Sequence, residues 1–179
     1  MDILTLLRRD HDAFFAAIPV LEALLEPGAF QRATVRSLGH ALVLQLQVHA
    51  RGEERSLYAG LFDLARAPPA VREHLDRKGR EGVCEHKCID DAALRFEALL
   101  DDDRSLRADI LAELTVLGEL LDHHARVEEE GLLFPEVERR FSLEERLAMG
   151  AEMEALRLAL SVAPERMRHR AILAAGGVR

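Results

Sequence analysis

Apolar residues recur at alternating intervals of three and four along most of this chain, which is typical of helices that bury one face. The first helical segment runs from about Asp2 to Leu25 and ends at Glu26-Pro27-Gly28. Its apolar stripe consists of Leu4, Leu7, His11, Phe14, Ile18, Leu21 and Leu25. The pattern predicts an amphipathic helix with His11 on its buried side.

Four more helical segments follow, separated by clusters of proline, glycine and aspartate. We predict them at residues 30–67, 70–100, 105–135 and 142–160. Gly79 and Gly82 predict a break early in the third segment, and Pro135 predicts an end or a kink in the fourth. Ser142 and Glu145 form a capping-box pattern at the start of the fifth. The segments together predict an all-α fold.

The composition supports helices and excludes several classes of function. Of the 179 residues, 49% are apolar but only 4% are aromatic, a balance that favours helices over strands. The net charge is −8 with acidic and basic residues interspersed, so we expect no nucleic-acid partner. No apolar run is long enough to cross a membrane. The apolar run at the N-terminus is very short and is followed by charged residues, so we expect no signal peptide. The chain has only two cysteines, Cys84 and Cys88, which is consistent with a reducing compartment. Together with the missing membrane segment and signal peptide, this predicts a cytoplasmic protein without a membrane partner.

Each of the first four segments carries one histidine within its apolar stripe. These residues are His11, His49, His86 and His124. Glu53 and Glu128 follow the second and fourth of them by four residues, which places each glutamate on the same helical face as its histidine. Four histidines and two glutamates are therefore expected to point into the bundle.

The two halves of this pattern repeat. The interval from His11 to His49 equals the interval from His86 to His124. The local sequences also agree, because His49-Ala-Arg-Gly-Glu53-Glu matches His124-Ala-Arg-Val-Glu128-Glu. Two helical hairpins of similar design would bring the six side chains together.

Burial of these side chains makes a metal site the simplest interpretation. An unpaired buried carboxylate costs several kcal/mol or is forced to protonate, so two of them among four imidazoles require cations. Imidazole with carboxylate suits iron, manganese or zinc. We predict a two-metal site in which Glu53 and Glu128 bridge and the histidines bind one metal or the other. The predicted ligands are His11, His49, Glu53, His86, His124 and Glu128.

With these residues, the chain resembles the hemerythrin-type (HHE) cation-binding domain family, whose pattern is His, His-x-x-x-Glu, His and His-x-x-x-Glu on four successive helices. The similarity spans about residues 3–140 and includes a fourth-helix signature that ends at Phe134-Pro135. The resemblance implies an up-and-down four-helix bundle at residues 1–140. Residues 141–179 would then form an additional C-terminal helix and a tail, packed on the bundle or extending from it.

The sequence departs from the dioxygen carriers of that family at two places. Carriers have a second histidine four residues after the one on the third helix, where this chain has Asp90. They also place the carboxylate five residues after the fourth-helix histidine, which here would pair His123 with Glu128, or His124 with Glu129. The internal repeat instead favours His124 with Glu128. Tyr58, the only tyrosine, follows the second-helix motif and is expected near the metals, as a ligand or as an ordinary buried side chain.

The resemblance implies a non-haem di-iron centre with an oxo or hydroxo bridge, manganese or zinc being alternatives to iron. The expected ligands besides the metal ions are O2, H2O2 or NO, and peroxide turnover of the catalase or peroxidase type is one candidate activity. The alternative is a non-catalytic metal or oxygen sensor, or an iron-binding protein, that acts through a partner. A homodimer is one candidate assembly. A histidine phosphotransfer bundle is disfavoured, because its histidine would be exposed.

Overall fold

The computed structural model describes residues 1–62 and 69–162, and these residues form an all-helical bundle without strands. The α-helices are α1 (Ile3–Leu24), α2 (Arg32–Glu53), α3 (Ala59–Phe62), α4 (Pro69–Asp101), α5 (Arg107–Asp122), α6 (Phe134–Arg140) and α7 (Leu143–Val162). Two π-helical stretches, π1 (Glu54–Tyr58) and π2 (His123–Leu133), continue α2 and α5. The all-α prediction is confirmed. The predicted end of the second segment and the predicted tail lie outside the described residues.

Helices α1, α2, α4 and α5 surround two apolar clusters at different levels of the bundle. Helix α1 contacts α2 and α5, and α4 contacts the same two helices. One cluster includes Phe14, Leu46, Ile89 and Leu121, and the other includes Leu7, Leu57, Leu75 and Leu133. In each of these four segments, the predicted histidine lies along the chain between a residue of one cluster and a residue of the other. The four histidines therefore occupy a polar layer between two apolar ones. The up-and-down path of the chain stays a prediction.

The break predicted at Gly79 and Gly82 is wrong, because α4 runs without interruption through both positions. Each glycine instead makes room for an aromatic ring. A Cβ atom at Gly79 would lie 2.9 Å from the ring of Phe62, and one at Gly82 would clash with the ring and hydroxyl of Tyr58. Glycine costs a helix about 1 kcal/mol relative to alanine, and close packing of a ring on the bare backbone can offset that cost.

The π-helical stretches change the direction in which the side chains of these residues point from the helix axis. In a π-helix the hydrogen bonds connect residues five apart rather than four apart. The longer stretch, π2, begins at His123 and ends just before Phe134. Pro135 then lies in the first turn of α6, where the φ angle that its ring fixes agrees with helical geometry. The fourth segment thus continues past Pro135 to Arg140.

Helix α7 packs against α1 and α2. The predicted capping box is present, since the Ser142 hydroxyl accepts a hydrogen bond from the Glu145 backbone N–H and the Glu145 carboxylate accepts one from the Ser142 backbone. Met153 is fully buried and lies on Gly52, where an added Cβ would be 2.9 Å from the Met153 Cγ. None of the described helices combines the length and the apolar content that a membrane crossing requires.

Candidate metal centre

The four predicted histidines converge inside the bundle. All four are buried, with exposures of 1% for His11, 5% for His49 and 2% each for His86 and His124. The rings of His11 and His49 have centroids 5.1 Å apart, and the Nε2 atoms of His86 and His124 are 3.1 Å apart. Glu53 is fully buried among them, and its Oε2 lies 3.6 Å from His49 Nε2 and 3.5 Å from His86 Nε2. The helices thus bring five of the six predicted side chains together.

The sixth position is occupied by Glu129 and not by Glu128. Glu129 is 1% exposed, and its two carboxylate oxygens lie 3.1 Å from His11 Nε2 and 3.3 Å from His124 Nε2. Glu128 is outside this group and accepts a hydrogen bond of 2.7 Å from the Lys78 ammonium. The prediction placed Glu128 inside because it assumed α-helical spacing after His124. Since this stretch is π-helical, the residue five positions after the histidine shares its face.

Of the two pairings with five-residue spacing that the sequence left open, His124 with Glu129 is the one that lies inside. The side chain of His123 is 58% exposed, and its Nε2 lies 3.9 Å from Glu128. We call the buried group the central cluster. It consists of His11, His49, Glu53, His86, His124 and Glu129.

Each histidine of the central cluster also contacts a carboxylate on its outer side. The Nδ1 atoms of His11, His49, His86 and His124 lie 2.7, 3.0, 3.0 and 2.7 Å from carboxylate oxygens of Glu130, Asp10, Glu54 and Glu85, respectively. A carboxylate at Nδ1 favours the tautomer with its proton on Nδ1, which leaves the Nε2 lone pair free to bind a metal. The Nε2 atoms of all four histidines face the interior.

The sequence analysis gave Asp10, Glu85 and Glu130 no role at the site, although the repeat contains a signal for two of them. The shift that takes His11 to His86 also takes Asp10 to Glu85. Each of these carboxylates directly precedes the histidine on the first helix of a hairpin and contacts the histidine on the second helix. Glu130 has no counterpart in the first half, where Arg55 stands, so the repeat could not have indicated it.

Tyr58 contacts the central cluster through Glu129. Its hydroxyl donates a hydrogen bond of 2.8 Å to Glu129 Oε1, and its ring stacks on His86 with centroids 5.6 Å apart. Burial and the charge of Glu129 raise the pKa of Tyr58 well above its usual value, so the hydroxyl keeps its proton. The tyrosine therefore acts on the cluster as a hydrogen-bond donor to a carboxylate.

Burial and the neighbouring charges strongly shift the pKa values of the central cluster. Burial raises the pKa of Glu53 well above its usual range, and the neighbouring charge of Glu129 raises it further. Burial also lowers the pKa of His49 to about 4, which keeps this imidazole neutral and able to bind a metal. Burial alone would lower the pKa of His11 as well, but Glu129 and Glu130 outweigh it and raise the value to about 9.

Several atoms of the central cluster are buried without a hydrogen-bond partner among the described residues. They are His11 Nε2, both carboxylate oxygens of Glu53, and Glu129 Oε2. The approach of His11 Nε2 to Glu129 is close but lacks hydrogen-bond geometry. Unpaired buried polar atoms of this kind are costly in a folded protein unless a cation or a water satisfies them. The residues fit metal ions.

The donor atoms separate into two groups that share one carboxylate. Donor atoms of Glu53, His86, His124 and Glu129 lie within 4.8 Å of one another, as do those of His11, His49 and Glu129. Carboxylate oxygens with imidazole nitrogens are the donors that iron, manganese and zinc accept. The fold and the site thus define a helical bundle with an interior layer able to hold metal cations.

Comparison with known proteins identifies the family. The model of the family described as the hemerythrin HHE cation-binding domain matches residues 2–137, and the chain belongs to this family. No curated protein and no solved structure matched the chain. The matched range includes every residue of the central cluster and ends before α7 begins.

Proposed function

We propose that this protein is a non-haem di-iron protein that handles O2, H2O2 or NO, with turnover of peroxide as its reaction. His11 and His49 would bind one iron, and His86 and His124 the other. Glu129 has donor atoms in both groups and would help to hold both metals, and Glu53, whose Oε2 lies near His49 and His86, would contribute as well. The observation that carries the proposal is the pair of donor groups that meet at Glu129.

A bound iron pair would supply electrons and Lewis acidity to a small oxidant. The chain's own part is to hold the ligands and to exclude water. The four supporting carboxylates orient the imidazoles, and Tyr58 keeps one oxygen of Glu129 hydrogen-bonded. The apolar layers on either side, which include Phe14 and Leu133, separate the cluster from solvent.

A cavity on the surface gives small molecules an approach to one side of the cluster. It has a volume of about 540 Å³ and reaches the ring of His49. Apolar side chains such as Phe14 and Val48 line it together with Arg157. Arg9 and Asp10 also line the cavity, so that apolar and charged groups surround it. A small ligand such as O2, H2O2 or NO would enter it next to His49.

The surroundings of Asp90 favour turnover or sensing over reversible oxygen storage. Asp90 stands where a carrier would have its extra histidine, and here it forms an ion pair with Arg51. Arg51 in turn binds Glu54 at 2.6 Å, and Glu54 contacts His86 Nδ1. The position thus contributes to the support of His86 and does not provide a fifth imidazole.

Both cysteines are free thiols, which agrees with the cytoplasm as the proposed location.

The second candidate is a non-catalytic metal or oxygen sensor that acts through a partner. The observation that favours it is α7, which follows the matched family range and packs on the helices that carry His11 and His49. A sensor would bind the metals and respond to the ligand, but it would not consume peroxide.

The test is a metal analysis of the protein purified without metal-affinity resin. We expect about two irons per chain and a near-ultraviolet absorption that changes when H2O2 is added, with release of O2 if the reaction is of the catalase type. Glu129→Ala should lose iron and the absorption, whereas the matched control Glu128→Ala should keep both. Zinc alone or no metal in a folded protein would contradict the di-iron proposal. Iron with a spectral response but no peroxide consumption would favour the sensor.

A further inference from the structure

One residue of α7 reaches the support of the central cluster. The guanidinium of Arg157 forms an ion pair with Asp10, and Asp10 lies 3.0 Å from His49 Nδ1. The side chains of Arg157 and Asp10 are only 21% and 15% exposed. Arg157 therefore contacts the carboxylate that orients one predicted ligand, although it lies beyond the range that the family model matches.

The other half of the cluster has the same arrangement within the family range. Arg51 binds Glu54, and Glu54 contacts His86 Nδ1. In each donor group, one histidine thus rests on a carboxylate that an arginine holds in place. For His86 that arginine belongs to α2 and lies between His49 and Glu53, while for His49 it comes from α7.

The position of Arg157 is fixed by the packing of α7. Met153 lies one turn before Arg157, is fully buried, and packs on Gly52, the residue next to Glu53. The Arg157 guanidinium also lies 3.8 Å from the Met153 sulfur. Because the bare backbone at Gly52 lets α7 approach closely, the guanidinium reaches Asp10 on α1.

We propose that Arg157 is a positioning residue for the metal centre, and that docking of α7 and metal binding at His11 and His49 strengthen each other. This inference rests on the proposed two-metal site. Loss of Arg157 leaves Asp10 free to turn away from His49, which then loses the contact that orients its ring. Removal of such support typically weakens metal binding 10- to 100-fold. Thermodynamic linkage makes the coupling reciprocal: if docking of α7 strengthens metal binding, then bound metal strengthens the docking of α7.

The experiment measures Fe²⁺ binding by anaerobic equilibrium dialysis of the full chain. For Arg157→Ala we expect one of the two equivalents to bind at least about 10-fold more weakly and the other to be unchanged. Arg157→Lys, which keeps the charge, should recover part of the loss. Asp10→Asn should weaken the same equivalent, and adding Arg157→Ala to it should have little further effect, because both residues act through one contact.

The matched control is Arg146→Ala. Arg146 is also on α7 and binds Asp2, the N-cap residue of α1, at 3.0 Å, so its loss weakens docking of the helix without touching the contact to His49. It should keep both equivalents at wild-type affinity. Hydrogen exchange should show slower exchange in α7 of the wild type when iron is added, and a smaller slowing in Arg157→Ala. Circular dichroism checks that each variant is folded.

Wild-type binding of both equivalents by Arg157→Ala would overturn the inference and leave the di-iron proposal intact. Equal weakening by Arg157→Ala and Arg146→Ala would also overturn it, because general docking of α7 would then explain the effect. A wild-type protein that binds no Fe²⁺ would instead overturn the proposed function itself.

Discussion

At the scale of single residues, the site depends on small side chains as much as on ligands. Tyr58 reaches Glu129 only because Gly82 on α4 has no side chain. Both positions lie in helices, so this glycine serves a close approach and not a turn. An alanine there would gain helix propensity of about 1 kcal/mol but would press on a ring enclosed by buried neighbours.

We predict that Gly82→Ala destabilises the metal-free protein by about 1–3 kcal/mol, because the added methyl group displaces Tyr58 in a packed layer. Urea denaturation followed by circular dichroism measures the change in the free energy of unfolding. Gly28→Ala is the control, since no atom lies within 4 Å of a Cβ added at Gly28. Equal stability of Gly82→Ala and the wild type would contradict the prediction, because displacement of the ring would then cost no more than the gain in helix propensity of about 1 kcal/mol.

At the scale of helices, the apolar stripes were sufficient to predict which histidines lie inside. His11, His49, His86 and His124 each belong to an α-helical stripe up to that residue, and all four are buried. The glutamate of the fourth helix was not predictable in this way. The repeat favoured Glu128, but the helix changes to π geometry at His123, and no residue pattern in the chain marks that change.

Glycine positions were ambiguous for a related reason. Gly79 and Gly82 resemble a helix break in the sequence, because glycine weakens helices. Only the tertiary structure shows that the rings of Phe62 and Tyr58 need the space. A sequence pattern can identify the buried face of a helix, but it does not show which side chain of a neighbouring helix packs against that face.

Helices α2 and α4 are joined outside the cluster by His40, and this contact depends on pH. The ring lies 3.0 Å from Glu97 and 2.9 Å from Asp101. Burial alone would lower the pKa of His40, but the two carboxylates outweigh it and raise the pKa above 6.5. A raised pKa in the folded state gives stability that is fully present below the pKa of the unfolded state and is lost as the pH rises through the folded pKa.

We therefore predict that His40→Gln destabilises the protein more at pH 6 than at pH 9. The loss at pH 6 should stay below about 1 kcal/mol, because the contact is partly exposed to solvent and salt. Unfolding in urea at both pH values provides the measurement, and repeating it in high salt should shrink the difference. A greater loss at pH 9 than at pH 6 would contradict the assignment of His40 as a charged partner.

At the scale of the whole molecule, the apolar layers and the central cluster have opposing effects on the stability of the metal-free bundle. The layers that contain Phe96 and Phe134 stabilise the bundle by burying apolar surface. The cluster places two carboxyl groups and four imidazoles in the same interior, and several of their atoms lack partners there. Cations bound at this level would satisfy those atoms in the folded state, and the unfolded chain does not assemble such a site. Metal binding and folding are therefore coupled.

We predict that Fe²⁺, added without oxygen, raises the free energy of unfolding by about 2.7 kcal/mol for each site when the free metal is at 100 times its dissociation constant. Thermal unfolding with and without a chelator measures the effect. Glu128→Ala should respond like the wild type, because its side chain pairs with Lys78 outside the cluster. Glu129→Ala should respond least, since it removes the carboxylate shared by both donor groups. A shift of the same size in both variants would mean that the metal binds somewhere other than the central cluster.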